Sequence, residues 1–113
     1  MKYDIPCRTK QITEFAREYL TKNPFAKPIE ISKHCAVSQS SLYSAFKKSS
    51  DITLNELRNN IRLKMAKDIL VTTDKPIGYI SDILMFSSVS YFRKKFKQYF
   101  NITPSDMRKQ NGI

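Results

Sequence analysis

The sequence predicts an all-α protein of about seven helices, and three observations predict it. Apolar residues recur at steps of three and four along most of the chain. Among 113 residues only Gly78 and Gly112 are glycine, and the five prolines fall between the periodic segments or at their first positions. The pattern of the first half also returns in the second, about fifty residues on.

Each helix has its own signals. Over residues 9–22, Ile12, Phe15, Ala16, Tyr19 and Leu20 form one apolar stripe, and Asn23-Pro24 ends it. Pro28 suits the first turn of a short helix over 29–35. After Ala36-Val37, Ser38 is the N-cap of a helix to 49, with Leu42 and Phe46 inward. A long helix is expected over 53–71, carrying Leu54, Leu57, Ile61, Met65 and Ile69, with Ala66 and Leu70 beside them. Thr72-Thr73-Asp74-Lys75 breaks that pattern, and Pro76 opens a helix to about 84. Either Ser87 or Ser88 caps the next helix, to about 100, with Phe92, Phe96, Tyr99 and Phe100 inward. Thr103 caps a last short helix. There Pro104 is the first residue, and the Asp106 carboxylate suits the positive helix end.

The repeat is the most informative feature. Ile31-Ser32-x-x-Cys35-Ala36-Val37-Ser38 corresponds to Ile80-Ser81-x-x-Leu84-Met85-Phe86-Ser87 at an offset of 49. One extra residue near the second turn makes the offset 50 afterwards. Leu42 then matches Phe92, Phe46-Lys47 matches Phe96-Lys97, Ile52-Thr53 matches Ile102-Thr103, and Leu57-Arg58 matches Met107-Arg108. Each copy supplies a short helix with an apolar anchor (Ile31, Ile80) and a tight turn with an apolar plug (Val37, Phe86). A second helix follows, buried on one face only. These are the parts of a helix-turn-helix. The expected organisation is residues 1–8 as a linker or tag remnant, 9–52 as a first helix-turn-helix lobe, 53–72 as a connecting helix and 73–110 as a second lobe. Together they make one domain.

Twenty Lys and Arg against ten Asp and Glu give a net charge of +10. Such a domain repels itself unless an anionic partner uses the charge, which points to nucleic acid first and an anionic membrane second. No apolar run approaches the ~18 residues of a spanning helix, and the amino terminus does not read as a secretory segment. A cytoplasmic protein without a membrane partner is expected, associated with the nucleoid when bound to DNA. Cys7 and Cys35 read as reduced thiols, Cys35 in the core, and His34 beside it does not complete a tetrahedral metal site. No phosphate loop, nucleophile elbow or carboxylate pair is visible. Neither catalysis, a cofactor nor a metal is expected, and Phe46, Phe86, Phe92, Phe96 and Phe100 read as core.

The outer face of the first copy's second helix comprises Ser40, Tyr43, Ser44, Lys47 and Lys48; that of the second comprises Val89, Ser90, Arg93, Lys94 and Lys97. Hydrogen-bonding and cationic groups on such a face suit base edges and phosphates in a major groove. A non-specific basic nucleic-acid-binding module is the alternative that charge alone would allow.

From about residue 12 to 108 the chain resembles the DNA-binding domain of the AraC/XylS family of bacterial transcription regulators. The resemblance is carried by Arg62-Leu63-x-x-Ala66-Lys67-x-Ile69-Leu70, Pro76-Ile77-x-x-Ile80, Phe86-Ser87-Ser88-Val89-Ser90-Tyr91-Phe92 and Phe96-Lys97-x-x-Phe100-x-Ile102-Thr103-Pro104-Ser105. It implies that the two second helices enter major grooves about one turn (~34 Å) apart on one face of the duplex. Ser40, Tyr43 and Ser44 would then face bases in one groove, and Val89, Ser90, Arg93 and Lys94 in the other. Arg93 either bonds guanine O6 and N7 bidentately or holds a phosphate. Ser38, Ser41, Lys47, Lys48, Ser87, Ser88, Lys95 and Lys97 are expected on phosphates. The family analogy also implies activation through RNA polymerase, and an effector-sensing or dimerising domain ahead of this one. Three positions depart from the family: Met85, Asp51 and Asn101 stand where it usually has glycine. Asn and Asp tolerate a left-handed backbone better than Met does. Ser32 and Ser81 replace the usual alanines.

Overall fold

The computed structural model describes residues 4–49 and 52–112, with side chains from residue 9 onward. Among them are seven helices and no strand: α1 (Asp4–Lys22), α2 (Pro28–His34), α3 (Gln39–Ser49), α4 (Leu54–Thr72), α5 (Ile77–Ile83), α6 (Val89–Phe100) and α7 (Pro104–Gln110). Five of the expected helices agree within about a residue at each end. α1 begins five residues earlier than expected, because Pro6 falls in the first turn, where a missing N–H breaks no helical bond. The segment read as a linker therefore contributes residues 4–8 to a helix. Cys7 lies there, and its side chain, like Asp51, is outside the described residues.

The chain divides into two compact units, residues 1–58 and 59–113. The boundary falls inside α4, so this helix closes the first unit with its opening turns and begins the second with the rest. In the first unit α1 packs most extensively on α3 and also on α2. Ile12, Ala16 and Leu20 are buried at steps of four, and Ile31, Leu42, Ala45, Phe46, Leu54 and Leu57 are buried in the same unit. Ala16 has no exposed surface, and its small side chain keeps the α1 backbone close to its neighbours. Phe15, expected in that stripe, lies one position off it and is 48% exposed. Tyr19 is half-buried and stacks on His34, centroids 4.5 Å apart.

In the second unit Leu63, Ala66, Leu70, Ile80, Leu84, Phe86, Phe92, Phe96 and Met107 form the core. Rings of Phe86, Phe92, Phe96 and Phe100 follow one another at 5.0, 5.8 and 4.6 Å. Phe100 is half-buried, and Tyr99, expected inward, is exposed with its edge to Phe100. The Arg108 guanidinium donates through Nε to the Leu70 carbonyl at 3.2 Å, which ties α7 to the end of α4.

The stripe expected along α4 is out of register. Ile61, Met65 and Ile69 are only half-buried, whereas Leu63 is buried. Leu54 and Leu57 serve the first unit, and Leu63, Ala66 and Leu70 the second. No single apolar stripe runs the length of a helix shared between two cores.

Candidate nucleic-acid interface

The two helix-turn-helix turns share one hydrogen-bond scheme. In the first, backbone N–H groups of Cys35, Ala36 and Val37 donate to the carbonyls of Ile31, Lys33 and Ser32 at 3.0, 3.1 and 3.0 Å. In the second, those of Leu84, Met85 and Phe86 donate to Ile80, Asp82 and Ser81 at 3.1, 3.0 and 3.1 Å. Donor and acceptor move by 49 residues in every case. The bend needs a left-handed residue, supplied by Ala36 (φ 58°) and by Met85 (φ 62°). Met85 therefore adopts the conformation that glycine would take, at a strain of roughly 1–2 kcal/mol. Ala36 does the same in the first unit, a feature the sequence did not reveal. Asn101, beyond α6, is left-handed as expected (φ 62°).

The caps repeat at an offset of 50. Ser38 Oγ accepts from the Ser41 N–H at 3.1 Å, and Ser88 Oγ accepts from the Tyr91 N–H at 3.0 Å. Ser88, not Ser87, is thus the cap, and Ser87 is the inserted residue. Thr53 and Thr103 likewise accept from Glu56 and Asp106 at 3.1 Å each. Glu56 returns a bond to the Thr53 N–H at 2.9 Å, completing a capping box at the start of α4.

These scaffolds expose one face of α3 and one of α6. Leu42, Ala45 and Phe46 are buried, while Ser40, Tyr43, Ser44, Lys47 and Lys48 are exposed, as are Ser38 and Ser41. Ser40, Ser41, Ser44 and Lys48 come together with Thr9, Ile12, Val37 and Ala45 around a shallow cleft of about 330 Å³. Tyr43 and Lys47 do not line it. On α6, Phe92 and Phe96 are buried, while Val89, Ser90, Arg93, Lys94 and Lys97 are exposed, with Ser87 and Ser88 before them. Lys95, expected on a phosphate, is half-buried, its Nζ 5.6 Å from the centre of the Tyr91 ring.

Cys35 is half-buried rather than in the core, its Sγ donating to the Ile12 carbonyl at 3.7 Å, and burial raises its pKa above the ordinary thiol value. Among the described residues no group of three or more His, Cys, Asp or Glu is placed to hold a metal. Among the same residues no helix is long and apolar enough to cross a membrane.

The structural repeat reaches further back than Ile31. Ala16 and Ala66, and Leu20 and Leu70, are fully buried pairs at an offset of 50. The helix-ending bonds Asn23 N–H to Tyr19 and Thr73 N–H to Ile69 also match. By this correspondence Thr9 pairs with Asn59, and Ser41 with Tyr91. In the sequence Tyr91 carries no role beyond its place in the family motif, and Asn59 carries none.

Two copies of an α-helix pair around a tight turn, each with a polar, cationic second helix, define a tandem helix-turn-helix protein of the DNA-binding class. A family model described as a helix-turn-helix domain matches residues 31–110. The transcriptional activator PerA of Escherichia coli O127:H6 is 38% identical over 84 residues, 74% of this chain and 29% of PerA. The Msm operon regulatory protein of Streptococcus mutans is 35% identical over 81 residues, 72% of this chain and 29% of that protein. An AraC-type transcriptional regulator structure from Chromobacterium violaceum superposes with a TM-score of 0.79 at 26% identity, covering 91% of this chain and 94% of that one. The chain belongs to the AraC/XylS-type helix-turn-helix family of DNA-binding transcription regulators, and it spans under a third of the length of the two curated relatives.

Proposed function

We propose that this chain binds a specific double-stranded DNA sequence and regulates transcription, α3 and α6 each entering a major groove, the two grooves adjacent. The observation that carries this reading is the repeated turn-and-cap scheme, which frees an outward face with hydroxyls on α3 and three exposed cations on α6. Ser40, Tyr43 and Ser44 are assigned to bases in one groove, and Val89, Ser90, Arg93 and Lys94 in the other. Ser38, Ser41, Lys47, Lys48, Ser87, Ser88, Lys95 and Lys97 are assigned to phosphates. Activation, contact with RNA polymerase and an associated effector-sensing or dimerisation domain complete the proposal by family analogy. The protein would act in the cytoplasm, on the nucleoid when DNA-bound.

Selection of bound duplexes from a random pool tests it. The expected outcome is enrichment of one site of about 20 base pairs, two helical turns. Arg93→Ala should relax preference at one position by about 1–3 kcal/mol, whereas Lys97→Ala should weaken all duplexes alike. A pool that remains random, with equal competition by single-stranded RNA, would leave only a non-specific basic module.

A further inference from the structure

Neither charge nor motif gives Tyr91 a role, yet its side chain on α6 is held by a hydrogen bond, a ring contact and a cation. Asn59 Nδ2, on α4, donates to the Tyr91 hydroxyl at 3.0 Å. The ring lies 6.4 Å from that of buried Phe86, and the Lys95 ammonium stands 5.6 Å from its centre. One oxygen lone pair is thereby occupied, while the phenolic proton is given to no acceptor among the described residues. The side chain is nevertheless 37% exposed. A donor held in place, partly exposed and with a cation against its ring suits an anionic acceptor. Tyr91, Lys95 and Gln98 share one flank of α6 at helical spacing, beside the face that carries Ser90, Arg93 and Lys94. Along a groove-bound helix, that flank runs beside a phosphate backbone.

The first unit carries neither a phenol nor an ammonium at the matching positions. Its counterparts of Asn59, Tyr91 and Lys95 are Thr9, Ser41 and Ala45, and all three line the open cleft of about 330 Å³. In the second unit the Tyr91 phenol stands at the matching position.

We propose that the Tyr91 hydroxyl, oriented by Asn59 and flanked by Lys95, grips one DNA backbone phosphate, a contact the second unit makes and the first lacks. Asn59 is a positioning residue. This rests on the DNA-binding reading above.

The test uses the full chain and the duplex recovered by selection, prepared as a set in which single phosphates are replaced by neutral methylphosphonates. Tyr91→Phe keeps the ring and its packing and removes only the hydroxyl, and with it the exposed bond from Asn59. It should bind the unmodified duplex about tenfold more weakly, with an unchanged melting temperature. At one methylphosphonate position the wild type should lose affinity while Tyr91→Phe loses nothing more. Asn59→Ala should share that position, and the double variant should be no worse than Tyr91→Phe alone. Equal binding by Tyr91→Phe and wild type, or a loss that couples to no single phosphate, overturns the grip. Failure of the wild type to bind any duplex overturns the DNA-binding reading itself.

Discussion

In the first unit the outward surface of α3 is built from hydroxyls, Ser40, Tyr43 and Ser44, with two lysines only at its end. In the second, α6 sets Arg93, Lys94, Lys95 and Lys97 along its length, above a ladder of phenylalanine rings. The turns and caps beneath the two surfaces are the same to within 0.1 Å in their backbone hydrogen bonds at the bend. The backbone scheme therefore fixes where a helix is presented, while the residues on it decide how it binds. The first unit is suited to neutral contacts around a cleft, the second to electrostatic anchoring.

The largest effects should come from the cores. Phe96→Ala should cost about 3–5 kcal/mol of unfolding free energy and Leu42→Ala about 2–5, measured by urea denaturation. Comparable losses would show that both units need full cores. A negligible loss in either would contradict the packing described. Next comes salt dependence. Neutralising Arg93, Lys94, Lys95 and Lys97 together should lower the slope of log affinity against log salt by at least about 2, the share of Lys95 and Lys97 on phosphates, and neutralising Lys47 and Lys48 by about 2. A larger change from the α3 lysines would reverse the comparison.

Much of this was legible in sequence, and the failures have physical causes. Ser38, Thr103 and the repeat after Ile31 could be read because caps and tight turns are local. The extension of the repeat into α1 was hidden. Only Ala16 and Leu20 keep their counterparts, whereas Ile12 and Thr13 face Arg62 and Leu63 across the offset. α4 misled because it serves two cores, and Phe15 because periodicity alone cannot separate a helix's buried face from its edge. Of the interface, the exposed face of each helix was predictable. The Asn59–Tyr91 bond, linking residues 32 apart, was not.

Smaller effects sharpen the comparison of the turns. Met85→Gly should raise stability by about 0.5–1 kcal/mol, since it relieves a left-handed side chain that is 61% exposed and packs little. Ala36→Gly should do the same by a similar amount. The smallest effect concerns Cys35, which only the first unit has. Burial raises its pKa above the ordinary 9.0, so the folded state favours the protonated thiol. That contribution is complete below pH 9.0 and is lost as pH rises through the raised folded value. Replacing Cys35 with serine should make the alkaline decline in urea midpoint shallower.

The central claim, that each unit places one helix on duplex DNA, is met most directly by a backbone-cleavage footprint of the selected duplex. Two protected segments about ten base pairs apart are expected. Ser40→Ala with Ser44→Ala should weaken one, and Arg93→Ala with Lys94→Ala the other. A single protected segment, or two that fade together in either variant, would contradict it.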